Sequence, residues 1–388
     1  MTKTKTKTKT KTKTKTLLIV ANVDWIFIVH RLEIGKALLN EGYRVIVVAK
    51  DTGRSSEITN IGLEFHNIEM SRSGTNPIVE LNTLYQLFKI YWKYKPLLVF
   101  QLTMKPIIYG TIIAKLLKLK NVNSISGLGY NFTGDRKGVV QKWMIKLMHW
   151  GFHKSNNVLI FENEDDLFEL KVLNVVSSKN KTIVIKGVGV DLDKFVPMKK
   201  TNQKEKIQIL MPARMLWDKG VKEFVEAANI LRTSYEGTVR FVLCGMIDPG
   251  NIKMIPQEYL EQIRVENYLE WIEHQQNMVK VYQESDIVVL PSYREGLPVV
   301  LMEASACGLP LVTTDAIGCK ECVEEGINGF KVPVKSVKEL ARAIEKLILS
   351  ANLRAAMGGA SRQKTLKEFD RKVVVSKYLS IFEELSNS

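Results

Sequence analysis

Long hydrophobic runs are absent from this chain: no stretch matches the ~20 consecutive apolar residues that a membrane-spanning helix needs. Cysteine is scarce, with four residues, and no hydrophobic segment is followed by a small-residue cleavage site. We therefore expect reduced thiols and no secretory signal. A G-x-G-x-x-G fingerprint is missing, which argues against a nicotinamide-binding enzyme. The usual nucleic-acid-binding motifs are missing too, so we expect no nucleic-acid partner.

Two of the four cysteines, Cys319 and Cys322, have the C-x-x-C spacing of redox motifs. A zinc site would need a second cysteine pair or histidines nearby, and the sequence offers neither. We therefore predict that this pair belongs to an ordinary loop and holds no metal.

The formal net charge is +15, but its distribution is uneven. Residues 1–16 form an alternating Lys-Thr tract with seven lysines, so the rest of the chain has a net charge of +8. Because the tract has no apolar side chain after Met1, we predict that it is disordered. The positive charge of the rest of the chain favours contact with an anionic membrane surface, where each lysine contributes roughly 1 kcal/mol to binding.

Short apolar runs alternate with amphipathic stretches along most of the chain, which is typical of parallel α/β units. The predicted strands lie near 17–21, 43–49, 63–68, 97–101, 122–126, 157–161, 182–186, 207–212, 239–244, 267–270, 286–290 and 310–314. The predicted helices lie near 29–40, 77–94, 106–118, 138–154, 163–172, 219–233, 276–283, 298–307 and 336–349, and in the last thirty residues.

A polar, lysine-rich stretch interrupts this pattern near the middle of the chain, so we predict two doubly wound domains. Ligands of such sheets bind outside the carboxyl ends of the strands, which places the expected site in a cleft between the domains. The predicted segments are a disordered tract (1–16), a first Rossmann-like domain (17–187), a linker (188–206), a second Rossmann-like domain (207–360) and a C-terminal helix (361–388).

Residues 137–154 predict a basic amphipathic helix that is rich in tryptophan and methionine. Its apolar face would hold Val139, Val140, Trp143, Met144, Leu147 and Met148. Such a helix can lie in the interface of a membrane. The alternative is an ordinary helix that packs on the core and has a solvated basic rim.

The segment 291–303, PSYREGLPVVLME, is placed between a predicted strand and a predicted helix. Gly296 permits a tight turn and Pro298 suits the first turn of a helix, so free backbone N–H groups there can bind an anion such as a diphosphate. Glu295 and Glu303 bracket this position and can accept hydrogen bonds from sugar and ribose hydroxyls. The alternative is a helix start with two surface glutamates.

Arg214 and Lys219 follow the first predicted strand of the second domain. A fork-shaped guanidinium and a compact ammonium at the end of a strand suit a diphosphate leaving group. With these two cations, we expect that no metal is required.

Together these motifs resemble those of the retaining glycosyltransferases of family 4, which have the GT-B fold. The matching features are the Glu-x7-Glu pair Glu295/Glu303, the Arg-x4-Lys pair Arg214/Lys219, the segment Ile185–Phe195 and the turn Gly326–Gly329. The similarity extends over nearly the whole chain after the Lys-Thr tract and is stronger in the second half. It implies two Rossmann-like domains facing a cleft, with C-terminal helices that cross back to the first domain.

The resemblance also implies the roles of the second domain. Arg214 and Lys219 would bind the diphosphate of a nucleotide-sugar, by default a UDP-sugar, and would act in catalysis together with Glu295, which reaches the donor sugar. Glu303 would bind the ribose, and residues 268–273 would border the base. Backbone groups would bind phosphate at Gly296, Leu297, Pro298 and Val299. No cofactor is implied besides the nucleotide-sugar substrate.

The first domain would bind the acceptor. Three of its segments resemble family members that make O-antigen, capsule or lipid-linked glycans, including an undecaprenyl-diphosphate-sugar N-acetylgalactosaminyltransferase. These segments are Asp24–Arg31, Thr103–Pro106 and Ser126–Tyr130. The candidate acceptor-side residues are His30, Arg31, Lys105 and Ser126. Many relatives have paired glycines in the first loop and a histidine at position 126, so the pattern assigns no side-chain base here.

We therefore predict a retaining hexosyl- or N-acetylhexosaminyltransferase. It would act on a UDP-sugar and a lipid-linked saccharide in bacterial surface polysaccharide assembly, and would be cytoplasmic and peripherally attached to the inner face of the cell membrane. Two alternatives stay open: a GT-B epimerase that acts on the nucleotide-sugar alone, and a non-catalytic, membrane-associated assembly partner. A scaffold has no physical need of Arg214, Lys219 and the two glutamates, which argues against the second.

Overall fold

The computed structural model describes residues 15–71, 76–128, 139–153, 156–198, 206–249 and 251–387. Most of the predicted disordered tract lies outside these residues. Its last two residues do not fit the prediction, because Thr16 begins the first strand and the carbonyl of Lys15 accepts a hydrogen bond of 3.0 Å from the N–H of Arg44.

Strands alternate with helices, as predicted. The strands are β1 (Thr16–Val23), β2 (Arg44–Lys50), β3 (Glu64–Asn67), β4 (Leu98–Leu102), β5 (Lys120–Ile125), β6 (Asn157–Phe161), β7 (Lys181–Val184), β8 (Ile207–Pro212), β9 (Val239–Cys244), β10 (Leu269–Ile272), β11 (Ile287–Leu290), β12 (Leu311–Thr314) and β13 (Gly329–Val332). The helices are α1 (Asp24–Asn40), α2 (Ser55–Thr59), α3 (Pro77–Tyr94), α4 (Met104–Leu116), α5 (Val139–Phe152), α6 (Glu164–Val172), α7 (Val221–Tyr235), α8 (Gln257–Gln262), α9 (Met278–Gln283), α10 (Val299–Ala306), α11 (Val337–Leu349), α12 (Ala351–Glu368) and α13 (Arg371–Asn387).

The strands form two sheets, each with a doubly wound order. The first sheet has the order β3-β2-β1-β4-β5-β6-β7 and the second has the order β10-β9-β8-β11-β12-β13. The pairs that join β3, β2, β1, β4 and β5 are parallel, as is every pair in the second sheet. The predicted α/β class with two Rossmann-like sheets is therefore confirmed. The strand order reverses between β1 and β4 and between β8 and β11, which is where such sheets bind ligands.

Contacts divide the chain into two compact units. The first contains Met1–Ser124, Trp150–Val158 and Tyr378–Ser388, and the second contains Ile125–His149 and Leu159–Lys377. Within the first unit, the rings of Tyr378 and Phe382 lie 5.5 and 5.1 Å from the ring of Phe100 on β4. The end of α13 is therefore part of the core of the first unit. The segment boundaries drawn from the sequence stay predictions.

The first part of the predicted linker packs on the second unit. Val190 and Phe195 are buried in the core of this unit, and the N–H of Val190 donates to the carbonyl of Phe369 at 2.8 Å. Residues 188–198 are therefore tied to the second unit, while 199–205 lie outside the described residues.

The central strands are near-continuous apolar runs. In β1 the residues from Leu17 to Ala21 are fully buried, as expected for a parallel strand that is covered on both faces. Three elements were not predicted from the sequence, and none of them exceeds six residues: β13, α2 and α8. Segments this short contain too few turns or alternations for hydrophobic periodicity to identify them.

Helix α1 begins five residues earlier than predicted, at Asp24. The buried Asp24 carboxylate accepts hydrogen bonds from the N–H groups of Trp25, Thr52 and Arg54 at 2.7, 2.8 and 3.1 Å. A carboxylate in the first turn also interacts favourably with the helix dipole, so this residue stabilises an early start.

Helix α5 has features of both interpretations of residues 137–154. Met148 is buried, which is the behaviour of an ordinary core-facing helix, but Trp143 and Trp150 are 60% and 46% exposed. The side chains of Val139 and Val140 are outside the description. None of the helices in the described ranges combines the length and the apolar character needed to cross a bilayer.

The loop after β8 is packed tightly against the loop after β11. Gly220 has a φ of +80°, and a Cβ atom placed on it would lie 2.2 Å from the carbonyl oxygen of Pro291. In addition, the N–H of Tyr293 donates to the carbonyl of Asp218 at 2.9 Å. The two loops therefore hold each other in place, and only glycine fits at position 220.

Gly220→Ala should destabilise the second unit more than Gly326→Ala does. Both glycines have positive φ, 80° and 74°, but a Cβ atom on Gly326 meets no heavy atom within 4 Å. We expect a loss of about 1–2 kcal/mol for Gly326→Ala from backbone strain alone. For Gly220→Ala, strain plus the collision with Pro291 should cost at least ~3 kcal/mol, measured by urea unfolding. Equal losses for the two variants would contradict this account of the loop contact.

Candidate active site

The candidate site lies at the reversal point of the second sheet. Strands β8 and β11 are neighbours in parallel, with Ile209 opposite Ile287 and Leu210 opposite Val288. The carboxyl ends of parallel strands lie at the same edge of a sheet. The loop that carries Arg214 and Lys219 is therefore next to the loop that carries Glu295.

Lys219 and Glu295 form an ion pair across these two loops. Lys219 ends a short 3-10 turn, Trp217–Lys219, and its Nζ donates to Oε1 of Glu295 at 2.6 Å. The two side chains are only 15% and 16% exposed, so each would lose most of its hydration without the other. The structure thus brings together two residues that the sequence had assigned to different parts of a donor.

Arg214 pairs with Asp248, which was not among the site residues predicted from the sequence. Its Nη1 donates to Oδ2 of Asp248 at 2.8 Å, and Asn251 Nδ2 donates to the same oxygen at 3.2 Å. Asp248 follows β9, which is the other neighbour of β8. A sequence signal existed, because a carboxylate just after a predicted adjacent strand is placed at the same sheet edge.

The backbone of the 295–298 loop is held on several sides. The amide of Asn163 donates to the carbonyl of Gly296 at 2.8 Å, and a Cβ atom on Gly296 would lie 2.6 Å from the carbonyl oxygen of Ser126. Gly318 also packs closely against this loop, since a Cβ atom placed on it would lie 2.4 Å from the carbonyl oxygen of Gly296. Substitution of Gly296 would therefore displace this loop.

The sequence predicts that backbone groups from Gly296 to Val299 bind phosphate. Leu297 points its side chain into the core, where it is 5% exposed. Pro298 precedes the first residue of α10, Val299. The first N–H groups of a helix have no carbonyl partner within the helix, so this turn can bind an anion.

Arg294 anchors the same loop through a buried charge cluster that the sequence did not indicate. Its Nη2 donates to Oδ1 of Asp166 and, at 2.6 Å, to Oε2 of Glu169. Asp166 is fully buried, and this burial raises its pKa against the opposing attraction of Arg294. Because Arg294 directly precedes Glu295 in the chain, these ion pairs restrain the backbone at Glu295.

Glu303 lies on α10, where it accepts a hydrogen bond of 2.9 Å from the hydroxyl of Tyr282. Burial raises the pKa of Glu303 from 4.5 to about 7, although the Tyr282 hydroxyl and the more distant charges of Arg371 and Lys194 oppose the rise. Near neutral pH this carboxyl is therefore close to its titration midpoint. Hydroxyl groups of a ligand that donate to it would favour its ionised form.

Among the candidate acceptor-side residues, Arg31 is buried in the first unit. Its guanidinium donates to the Ser124 hydroxyl at 2.9 Å and lies over the ring of Tyr378, 5.5 Å from the centroid. Only 2% of Arg31 is exposed, which favours a structural role. His30, one residue earlier, is partly buried, and Ser126 is exposed.

Lys105 is also engaged within the first unit. Its Nζ donates to Glu80 at 2.5 Å and to the Ser71 hydroxyl at 2.6 Å, and Tyr109 donates to Glu80 at 2.7 Å. Burial would raise the pKa of Glu80, but these hydrogen bonds outweigh it and lower the pKa. Arg31 and Lys105 therefore share no hydrogen-bond partner: Arg31 pairs with Ser124, and Lys105 pairs with Glu80 and Ser71. Their roles in binding an acceptor stay predictions.

Two further expectations concern the second unit. Tyr268, in the region 268–273 expected to border a base, is buried, and its hydroxyl donates to the carbonyl of Ala228 at 2.5 Å.

Cys319 and Cys322 are free and buried, and burial raises the pKa of both thiols, that of Cys319 to about 12. Burial disfavours the reactive thiolate form of both residues, and Cys322 ends the short 3-10 turn Lys320–Cys322. Within the described residues no cluster of His, Cys, Asp and Glu is arranged to hold a metal ion.

The raised pKa of Glu303 predicts how stability depends on pH. Between its unfolded value of 4.5 and its folded value of about 7, the native state keeps a proton that the unfolded state releases. This contribution is complete below the unfolded value and is lost as pH rises through about 7, so the free energy of unfolding should fall by about 3 kcal/mol. Denaturant titrations over about pH 5–8 should show this fall in the wild type and not in Glu303→Gln.

Glu368 provides the matched control. Burial would raise its pKa, but hydrogen bonds from Lys186 and Lys364 outweigh this and lower it. Glu368→Gln should therefore retain the wild-type slope above about pH 5. An unchanged slope in Glu303→Gln would mean that Glu303 titrates normally.

Two family models match the chain. The model described as glycosyl transferases group 1 matches residues 194–364, and the model described as glycosyl transferase 4-like matches residues 16–163. The first of these ranges contains the ion pairs of Lys219 and Arg214.

The chain is similar to two bacterial glycosyltransferases over most of its length. It is 30% identical over 369 residues to the N,N'-diacetylbacillosaminyl-diphospho-undecaprenol alpha-1,3-N-acetylgalactosaminyltransferase of Campylobacter jejuni, with 92% of this chain and 95% of that protein covered. It is 26% identical to the UDP-Gal:alpha-D-GlcNAc-diphosphoundecaprenol alpha-1,3-galactosyltransferase of Escherichia coli, with 80% and 81% covered.

Among solved structures, HepE of Anabaena in complex with UDP has a TM-score of 0.77 at 15% identity, with 95% of this chain and 100% of that chain covered. At this identity the likeness concerns the fold. The predicted GT-B architecture and enzyme class are confirmed: the chain belongs to the family 4 glycosyltransferases.

Proposed function

We propose that this enzyme is a retaining glycosyltransferase that moves a hexose or N-acetylhexosamine from a UDP-sugar to an undecaprenyl-diphosphate-linked saccharide. The observation that carries the proposal is the grouping of Arg214, Lys219 and Glu295 at the reversal point of the second sheet. Two cations and the first turn of α10 at one sheet edge form a site for a diphosphate. The names of the Campylobacter jejuni and Escherichia coli relatives support a diphospho-undecaprenol-linked acceptor.

The diphosphate would lie between the two cations. Arg214 is 39% exposed even in its pair with Asp248, so its remaining N–H groups can reach a ligand. Lys219 has three donors, of which Glu295 takes one at 2.6 Å. Neither cation needs to leave its carboxylate in order to bind phosphate.

The two glutamates would hold the parts of the donor on either side of the diphosphate. Glu295 is fixed by Lys219 and by its own N–H, which donates to the carbonyl of Ile317 at 3.0 Å. This carboxylate would accept hydrogen bonds from the hydroxyls of the donor sugar. Glu303 would accept them from the ribose, on the side of Tyr282.

Transfer with retention requires the acceptor hydroxyl to attack the face of the anomeric carbon from which the diphosphate departs. The bond between the anomeric carbon and the phosphate oxygen breaks, and the acceptor oxygen forms the new bond to the same carbon. The departing phosphate oxygen takes the acceptor proton, so no side-chain base is needed. The protein would act by stabilising the charge that develops on the diphosphate, through Arg214, Lys219 and the start of α10, without a metal.

The acceptor determines where the enzyme works. An undecaprenyl-linked saccharide is confined to a membrane, so we place the enzyme peripherally at the inner face of the cell membrane. The positive charge that remains outside the Lys-Thr tract, +8, suits an anionic surface.

Label transfer from a panel of nucleotide-sugars to the lipids of native membranes tests the proposal. One UDP-sugar should label the lipid fraction. Arg214→Ala should lower kcat by about 10²–10³-fold, the usual cost of removing one donor to a developing charge. Glu295→Ala should abolish labelling.

Arg232→Ala is the matched control, because Arg232 pairs with Glu236 on the exposed surface of α7. Its activity should equal that of the wild type. Full turnover by a folded Arg214→Ala variant would contradict the role at the leaving group. An altered nucleotide-sugar without lipid labelling would indicate an epimerase, and no change in either fraction would contradict lipid-directed transfer.

A further inference from the structure

Helix α3 carries an uncovered apolar stripe along its whole length. The stripe consists of Ile78, Leu81, Tyr85, Phe88 and Trp92, whose spacing of three and four residues places them on one side of a helix. Their exposed fractions are 78%, 66%, 56%, 38% and 60%. The stripe is about 21 Å long. Single apolar residues scattered over a protein surface are normal, but a continuous row of this length is not.

The opposite side of α3 accounts for the packing of the helix. Thr83, Leu87, Ile90 and Tyr91 are buried, and the last three belong to a core cluster of the first unit. The fold therefore does not need the stripe residues for its core. The aromatic side chains of Tyr85, Phe88 and Trp92 face the solvent at positions where a surface helix usually has polar residues.

The exposed charges that α3 itself places beside the stripe are of one sign. Lys89 and Lys93 are exposed on α3, and Lys95 follows directly after it. Lys89 lies over the ring of Tyr85 and Lys95 over that of Trp92, at 4.7 and 5.8 Å. Lysines that flank exposed aromatic rings can extend toward anionic headgroups while the rings enter the interface.

No carboxylate on the helix opposes these lysines. Glu80 is the only acidic residue in the sequence of α3. It is turned inward, 14% exposed, in its ion pair with Lys105. The outer surface of α3 is therefore apolar and basic.

We propose that the stripe of α3 docks the enzyme on an anionic lipid surface, with the helix lying in the plane of the interface. The proposal deepens the proposed function, which requires a membrane but does not say which surface meets it. Trp, Tyr and Phe next to lysines are the side chains that such interfacial helices use. A second copy of the chain fits less well, because it would bring further lysines and no exposed carboxylate from this helix.

Vesicle sedimentation with the full-length chain tests the docking. The variant Leu81→Gln/Phe88→Gln/Trp92→Gln keeps good helix formers at exposed positions, so it should fold normally. We expect it to bind vesicles of phosphatidylethanolamine and phosphatidylglycerol at least ~10-fold more weakly than the wild type. Phe168→Gln/Val172→Gln/Ile252→Gln is the matched control, since it removes three apolar residues of 68%, 62% and 84% exposure elsewhere, and it should bind normally.

The charge contribution is tested separately. Lys89→Gln/Lys93→Gln should weaken binding to these vesicles roughly 30-fold at low salt. The difference from the wild type should shrink as salt is added or when phosphatidylcholine replaces the anionic lipid.

Wild-type binding by the Leu81/Phe88/Trp92 variant would overturn the proposal. If binding were lost instead in a chain lacking residues 1–14, the Lys-Thr tract would be the docking element. If the variant changed a dimer into a monomer in light scattering and still bound vesicles, the stripe would be a contact between copies.

UDP binding by calorimetry separates this proposal from the proposed function. Loss of vesicle binding with intact UDP binding, and with intact transfer to acceptor lipid dissolved in detergent, supports the docking surface. Absence of UDP binding in the wild type would contradict the donor proposed above. The vesicle measurements would still test the docking surface, because they do not depend on UDP.

Discussion

The pairing of β8 with β11 is the constraint on which the candidate site of the second unit depends. It sets two chain segments some eighty residues apart side by side, so that Lys219 meets Glu295 at 2.6 Å. Neither side chain could be buried to this degree alone, because a lone partly buried charge costs several kcal/mol. The contact at Gly220 and the Arg294 cluster hold the same loops from either side. The site is therefore a consequence of sheet order, to which local residues add rigidity.

Much of the fold could be predicted from local patterns. Helix α3 has the predicted bounds, because Asn76 caps its first turn, Pro77 suits the first helical position and Lys95 ends it in the left-handed conformation. Which side of α3 is buried could not be predicted, since apolar residues occupy both sides, as Leu87 and Phe88 illustrate. Strand β13 was missed because four residues beginning with glycine become a strand only through pairing with β12.

For the candidate site, too, local patterns could be predicted from the sequence and tertiary contacts could not. Arg214, Lys219 and the two glutamates stand in recognisable spacings close to strand ends, and these could be read from the chain. Their partners could not, because Asp248 and Tyr282 come from other loops and helices, and the pairings depend on strand order. The burial that raises the pKa of Glu303 is likewise a property of the packed α10 and α9, with no local signal.

The pairing of each cation with a carboxylate bears on how the site would treat a diphosphate. Unpaired, Arg214 and Lys219 would attract any anion and would repel each other at one sheet edge. Paired with Asp248 and Glu295, they are held in fixed orientations and the local charge is close to neutral. A ligand then gains most where it offers several acceptors to the donors that remain, which a diphosphate does and a single carboxylate does not. Donors fixed before the reaction need no reorganisation as charge develops on the leaving group. In the proposed reaction the carboxylates would contribute to selectivity and to catalysis by keeping the cations in place.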